Sequence, residues 1–449
     1  MTIMEHPIDV NALLRLDEGM VHSDVYSSPA VFDLEMEKIF HRGWVYVGHE
    51  SEVPRPGDYV LRWIGQQTVI MSRDDRGKLH LFMNRCRHRA NSICQFEKGN
   101  SSFFRCAYHG WCFDAGGRCL EQPNESESHA LRGAKVATAY PVQELGGLLF
   151  AYLGPEPAPL LPRFDGYVAE RAIRHLGKRV IPCNWLQIME NSVDPVHTEW
   201  LHGALYEFRH EGEGRKVAIS KHHAKIAFDE FPFGIIKRRL MENQSEDSDD
   251  WRVGHPLLFP NTLSGGSNGG LWKQQIFQIR VPMDDTNTMH FWYHAYIPPD
   301  DADVPAHLLT RVPVYEPPVK DSNGEFLLDY IHAQDIMAWT TQGTIADRTK
   351  EKLGASDRGL VMYRKLLKRE IERVERGEDP VGIVRDARLN RVIDLPREKG
   401  KDMYSDGFVS QLRRQMSNFS PIAEELIEVF TKHKNRDAIT RAREPVPAK

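Results

Sequence analysis

Cys86-Arg87-His88 is followed, after 17 residues, by Cys106-Ala107-Tyr108-His109-Gly110-Trp111. Each of two short segments thus offers one thiol and one imidazole, as Cys-x-His and then Cys-x-x-His. Around them, from Trp44 to about Leu153, runs rich in Val, Ile, Phe, Tyr and Leu (Tyr59–Ile64, Thr68–Ser72, Leu148–Leu153) alternate with turn signals. Those signals are Pro56-Gly57, Asp75-Arg76-Gly77 and Gly116-Gly117. The pattern predicts a compact antiparallel β-domain that presents both segments on loops. The stretch Gly154–Pro162 (GPEPAPLLP) marks its end, because proline cannot donate to a sheet ladder.

Two thiolates on one iron and two imidazoles on the other is the donor set of a Rieske [2Fe–2S] centre, whose potential lies above that of an all-cysteine cluster. Two loops that each mix the ligand types meet that need. Gly110 suits a tight turn that brings backbone N–H groups towards the cluster sulfurs. A zinc site accepts the same four ligands, but zinc motifs usually pair cysteine with cysteine in one knuckle. The other cysteines (Cys94, Cys112, Cys119 and Cys183) read as small buried residues.

The remainder of the chain sets this site in an ordinary globular context. At 449 residues it exceeds what one hydrophobic core usually serves, so two domains are expected. Composition is 41% hydrophobic and 27% charged, with a net charge of −5, which gives no sign of a nucleic-acid or anionic-membrane partner. No run approaches the roughly 20 apolar residues of a membrane span, and Met1–Asp9 lacks a signal-peptide pattern, so a cytoplasmic location is the default. Five of the six cysteines fall between Cys86 and Cys119, too close together for a disulfide framework stapling so long a chain.

A second constellation lies in Glu190-Asn191-Ser192-Val193-Asp194-Pro195-Val196-His197-Thr198-Glu199-Trp200-Leu201-His202. Two histidines and a carboxylate on one face of a metal leave positions open for O₂ and substrate, as in non-haem Fe(II) oxygenases. On a regular helix His197 and His202 would point roughly 140° apart. Pro195 removes a backbone donor, and a π-type turn would bring residues i and i+5 nearly into line. The spacing therefore predicts a helix bulge between Asn191 and His202. Helical patterns are also read over Val31–Phe40, Asn184–His202, Glu325–Thr349, Leu360–Gly377 and Ile422–His433. Trp272–Pro282 and Met289–Pro298 read as paired strands, with a turn at Asp284–Thr288.

On these two motifs the chain resembles the oxygenase (alpha) subunits of Rieske non-haem iron ring-hydroxylating oxygenases. The Asn-x-x-Asp-x-x-His-x4-His spacing looks closest to phthalate- and vanillate-type members. Respiratory-chain Rieske proteins carry a further disulfide between the loops, whose cysteines would fall at Asn91 and Tyr108; neither is cysteine here. The resemblance implies an α+β fold, with an all-β Rieske domain over 41–155 and a catalytic domain over 156–449 whose antiparallel sheet is covered by helices. Residues 1–40 form a helical segment packing on the catalytic domain. It implies Cys86, His88, Cys106 and His109 as cluster ligands and His197 and His202 as iron ligands. The third iron ligand is a carboxylate far along the chain, best matched by Asp335, with Asp329 and Asp347 as alternatives. Asn191 belongs to the motif. Asp194 would bridge His197 to His109 of a neighbouring copy, giving electrons a path between subunits.

The implied activity is that of a terminal oxygenase. Electrons from NAD(P)H arrive through a separate reductase, directly or by way of a ferredoxin, and O₂ is the co-substrate. The substrate is an aromatic or similar apolar molecule, which undergoes cis-dihydroxylation or a monooxygenation such as demethylation. The assembly would be a trimer or two stacked trimers. No dinucleotide-binding glycine fingerprint opens a βαβ unit, so the chain itself is expected to bind no nicotinamide. Phe277, Phe291 and Trp292 are aromatic candidates for the substrate pocket, and Arg280 and Arg311 are candidates for holding a carboxylate. Strand alternation sets Arg280 and Phe277 on opposite faces, so at most one of them lines the pocket. Arg85, Arg87 and Arg89 flank the first loop and could dock an acidic electron donor. Two other classes stay open: a Rieske electron carrier without oxygenase chemistry, and a zinc-stabilised interaction protein.

Overall fold

The structure is a computed structural model. It describes residues 14–15, 20–21, 24–126, 131–134, 137–212, 214, 222–348, 351–397 and 407–443. Met1–Asp9, and Thr349 at the end of one expected helix, lie outside the described residues.

Short β-rich runs with glycine-containing turns build residues 44–152 into three antiparallel sheets; before them Leu14–Arg15 pairs with Met20–Val21, so the segment expected to be helical over 1–40 also contains a short strand pair. The largest orders Ala139–Tyr140, Leu79–Met83, Gln67–Arg73, Asp58–Ile64 and Lys98–Asn100. A second joins Val142–Leu145, Leu148–Tyr152 and Trp44–His49, and a third joins Cys119–Glu121, Cys112–Asp114 and Phe103–Arg105. Cys86 and His88 lie between Leu79–Met83 and Lys98–Asn100, while Cys106 and His109 lie between Phe103–Arg105 and Cys112–Asp114. A small core of Tyr59, Ile70, Phe82, Phe104, Trp111 and Phe113 sits beneath both loops and takes in the buried Cys86, Cys94 and Cys106.

The second half is organised on an eight-stranded sheet. Its order is His223–Phe231, Gly234–Met241, His255–Leu258, Thr262–Ser267, Lys273–Pro282, Thr288–Ile297, Ile173–Ile181 and Val314–Tyr315. Only the last pairing is parallel. Alternation gives the two central strands opposite duties. Phe277, Ile279, Phe291 and Tyr293 join the main core, where the Phe291 ring meets Tyr46 of the first half at 4.7 Å between centroids. Arg280, His290 and Trp292 point to the other face. There Trp292 shares a core with Ala333, Ile336 and Trp339 of the helix Ile331–Thr340. Phe277 and Phe291, read as pocket candidates, are therefore core residues, Phe291 at the contact between halves and Phe277 against Phe164 and Tyr167, and Trp292 alone of the three faces the helix that carries Asp335.

The helix Pro29–Lys38 buries Val31, Phe32, Glu35 and Met36. Trp185 Nε1 donates to its Glu35 carboxylate at 2.8 Å. Tyr26, Glu190 and Arg364 form a fully interior cluster: Arg364 donates to Glu190 at 2.7 Å and to the Tyr26 hydroxyl at 2.7 Å. The expected helices over Leu360–Gly377 and Ile422–His433 are observed as Arg358–Glu375 and Ala423–Arg443. The long helix expected over Glu325–Thr349 is not. Only Ile331–Thr340 is helical, because Phe326 bridges to Lys320 before it and Gly343 adopts φ +91° just beyond it.

Candidate metal centres

At the first centre the chain turns back twice. The Ala90 N–H donates to the Cys86 carbonyl at 2.8 Å, and the Gly110 N–H to the Cys106 carbonyl at 3.0 Å. Gly110 has φ +75°, and a Cβ there would meet Pro123 at 3.1 Å, so both backbone shape and space favour glycine. These turns bring the His88 and His109 rings to 4.4 Å, edge to face, with Trp111 stacked on His88 at 5.1 Å. Burial pushes the Cys86 thiol up, and the adjacent Cys106 adds to the rise. Asn91 Nδ2 lies 3.6 Å from Cys106 Sγ, and His88 Nδ1 is buried without a partner. Two thiols side by side and two imidazoles packed edge to face, one nitrogen unsatisfied, fit the donor set of the cluster. Arg85, Arg87 and Arg89 are exposed around this loop, with Arg89 over the Tyr108 ring.

At the second centre the helix Trp185–Val193 stops at Asp194, which is extended (φ −89°, ψ 118°), as residues before proline usually are. The Asp194 carboxylate then starts the next helix, accepting from Val196 N–H at 2.7 Å and His197 N–H at 3.2 Å. After one α-turn, His197–Glu199, the chain forms a π-turn over Trp200–Ala204 before Leu205–Gly212. The expected bulge is thus two features: a break at the proline and a π-turn that holds His202. Together they bring the His197 and His202 rings to 5.2 Å.

Asp335, from the buried first half of Ile331–Thr340, meets them. Its Oδ1 lies 3.2 Å from His202 Nε2 and 3.9 Å from His197 Nε2. One donor atom from each of the three residues falls within 4.8 Å of the others. Asp335 Oδ1 is buried with no hydrogen-bond partner. Burial alone would raise this carboxyl, yet His202 and His197 hold it below its ordinary range. The outer nitrogens are already engaged: His197 Nδ1 is 3.2 Å from Asp194 Oδ2, and His202 Nδ1 is 2.8 Å from Gln334 Oε1. Carboxylate and amide acceptors there favour a proton on each Nδ1, leaving each Nε2 lone pair facing Asp335. Two imidazoles whose Nε2 atoms face a carboxylate oxygen fit one divalent iron, which would take the place of the proton that Asp335 favours on His202 despite its burial.

Of the other carboxylates considered, Asp329 is exposed and pairs with Arg209 at 3.5 Å, and Asp347 is exposed. Asn191 lies outside the trio, its carbonyl accepting from the Asp194 N–H at 3.1 Å. Within one chain no hydrogen bond joins Asp194 to His109 among the described residues. Arg311 is exposed, in the segment beside Ser51 and Glu52. Gln334 is the functional residue that motif reading passed over. Its only sequence signal is a polar side chain directly before Asp335 in an otherwise buried helical turn.

Sequence comparison agrees with this architecture. The Rieske [2Fe-2S] domain model matches residues 43–141. The vanillate O-demethylase oxygenase C-terminal domain model matches 181–312, and a LigXa C-terminal-domain-like model matches 321–394. The chain is 38% identical over 366 residues to a 5,5'-dehydrodivanillate O-demethylase oxygenase subunit of Sphingobium sp. (80% of this chain, 82% of that one). It is 27% identical over 440 residues to a phthalate 4,5-dioxygenase oxygenase subunit of Pseudomonas putida (89% and 97%). A naphthalene 1,2-dioxygenase structure from Rhodococcus sp. superposes with a TM-score of 0.50 at 18% identity, covering 80% of this chain and 97% of that one, which speaks to fold alone.

The chain belongs to the Rieske non-haem iron oxygenases. Within them it is an oxygenase component of a multicomponent system, not a bare electron carrier. The family's cofactors are a Rieske [2Fe–2S] cluster and a mononuclear iron, with O₂ as co-substrate. Among the described residues no helix is long and apolar enough to cross a membrane.

Proposed function

We propose that this oxygenase component carries its cluster on Cys86, His88, Cys106 and His109 and its iron on His197, His202 and Asp335. We propose further that it removes a methyl group from an aromatic methyl ether. The observation that carries the metal assignment is the trio itself, with Asp335 Oδ1 buried and unpartnered among two histidines whose outer nitrogens are tied. The reaction class rests on the likeness to the dehydrodivanillate O-demethylase subunit.

When bound, the iron supplies O₂ activation and the cluster supplies electrons. The chain's own residues orient and enclose. Asp194 and Gln334 hold the two imidazoles in one tautomer, and the helix Ile331–Thr340 keeps Asp335 out of water. Trp292 and Trp339 wall the inner face of the sheet beside that helix. The balanced reaction joins an aryl methyl ether, O₂, NADH and a proton, and yields the phenol, formaldehyde, water and NAD⁺. A reductase, directly or through a ferredoxin, delivers the electrons in a cytoplasmic setting. Homo-oligomerisation lets Asp194, whose side chain stays 25% exposed, reach a neighbour's His109.

The test is oxygen uptake by the purified protein with a surrogate reductase and a panel of aromatic methyl ethers. The expected result is uptake matched by equimolar formaldehyde. Uptake that yields a cis-diol without formaldehyde would favour the dioxygenase reading suggested by the phthalate relative. No substrate-dependent uptake across the panel would overturn the proposal.

A further inference from the structure

The turn that carries both iron histidines is weakly supported by packing. None of His197, Thr198 and Glu199 is fully buried, and in the π-turn Trp200–Ala204 only Gly203 is. The preceding helix has ended at Asp194, and Pro195 brings no N–H to rejoin the two. One α-turn of three residues followed by a π-turn does not hold its own shape. Side chains from other elements supply what the backbone lacks. At the His202 end there are two of them. Gln334 accepts from the ring Nδ1, and Arg414 Nη2 donates to the His202 carbonyl at 3.2 Å.

At the His197 end, Asp194 caps the turn from within the same segment. The tie to the eight-stranded sheet is Glu199. Its Oε1 accepts from the His223 backbone N–H at 2.6 Å and from His223 Nδ1 at 2.5 Å, and its Oε2 accepts from His222 Nδ1 at 3.0 Å. His223 opens the edge strand His223–Phe231, which pairs along its length with Gly234–Met241. The Glu199 and His223 side chains are 10% and 3% exposed, so water competes little for these bonds. His223 Nε2 has no partner, so the ring's hydrogen bonding is committed to Glu199. Among the described residues no other side chain of His197–Glu199 hydrogen-bonds to the sheet.

We propose that Glu199 is a positioning residue for the iron site: it clamps the His197 turn to the edge strand and so sets how the two iron histidines stand relative to Asp335. This rests on the iron assignment above. Asp335 is fixed on a separate buried helix, so a tilt of the turn about Pro195 moves both Nε2 atoms against it. A working site holds such groups to within about 0.5 Å.

The test is electron paramagnetic resonance of the reduced holoprotein with nitric oxide as the probe of its ferrous iron, beside the rate at which a chelator removes that iron. Glu199→Ala should change the symmetry of the nitric oxide signal and speed iron loss at least about tenfold, with the reduced-cluster signal unaltered. Glu199→Gln keeps an oxygen for the His223 N–H and should fall between that variant and wild type. Glu230→Gln is the control for general loosening of the same strand. It weakens the Glu230–Arg369 pair, 2.8 Å long, near the strand's far end, and should leave both readings at wild-type values. Wild-type readings in Glu199→Ala, or an equal effect of Glu230→Gln, would overturn the clamp. Should Glu199→Ala fail to fold, wild-type readings in Glu199→Gln would overturn it in the same way. A wild type with no iron beyond the cluster sinks the metal assignment and the clamp together, whereas a normal iron signal indifferent to Glu199 sinks the clamp alone.

Discussion

Nδ1 of His202 lies 2.8 Å from Oε1 of Gln334, the residue immediately before Asp335. One turn of a single helix therefore provides both a carboxylate for the trio and the acceptor that orients one of its histidines. The amide nitrogen of Gln334 is itself fixed, donating to the Leu328 carbonyl at 2.7 Å. The side chain is fully buried, so it has no freedom to turn away.

Gln334→Leu should therefore weaken iron binding at the second centre by roughly 10–100-fold, as loss of an orienting partner does elsewhere. The cluster should be untouched. Competition with a chelator, followed by iron analysis and the cluster absorption spectrum, reads both. Unchanged iron affinity would mean that the 2.8 Å contact does not orient His202.

Asp194 has two duties that one substitution can separate. As a cap it accepts from two backbone N–H groups, and as a partner it touches His197 Nδ1 at 3.2 Å. Asparagine keeps a capping oxygen but loses the charge. Asp194→Asn should retain both metal centres and slow oxidation of the pre-reduced cluster by at least about tenfold. Single-turnover absorption measures this, and an unchanged rate would remove Asp194 from the electron path.

Glu190 and Arg364 are buried at 3% and 0% side-chain exposure, and they tie Tyr26 to the catalytic half. Removing Glu190 leaves Arg364 with Glu351 alone, at 2.8 Å, and takes the acceptor from the buried Tyr26 hydroxyl. Glu190→Ala should cost about 3–5 kcal/mol, seen as a lowered melting temperature. A loss under about 1 kcal/mol, ordinary for an exposed pair, would show that water reaches the cluster in solution.

Glu35 offers a pH test. Burial pushes its carboxyl up to about 8 against an ordinary 4.5, although Trp185 donates to it. The folded state thus holds a proton that the unfolded chain releases between about pH 4.5 and 8. Stability from this group is fully present below the unfolded value and falls as pH rises towards the folded one. Glu35→Gln should match wild type near pH 5 and melt a few degrees higher near pH 9. A difference that does not change with pH would contradict the burial of an uncharged Glu35.

Both metal motifs were legible because their ligands are close in sequence, and the β-context of the first loop pair was visible in its turn residues. Asp335 was reachable only by family resemblance, since a lone acidic residue on a helix carries no spacing. Gln334 escaped because an orienting partner has no motif of its own. Strand alternation correctly set Arg280 opposite Phe277, but it cannot say which face meets the iron helix; that depends on how the halves pack. Phe277 and Phe291 were therefore read into a pocket when they fill the core. The helix read over Glu325–Thr349 ran too long because EFLLDY has helical periodicity, while its pairing with the segment around Lys320 is a tertiary contact.

The central claim, two separate inorganic centres on one chain, is tested most directly by counting iron and acid-labile sulfide in wild type and in Asp335→Ala. Wild type should hold about three irons and two sulfides per chain, and the variant about two of each with the cluster spectrum intact. An Asp335→Ala protein that keeps the third iron and its turnover, or a wild type with no sulfide, would contradict it.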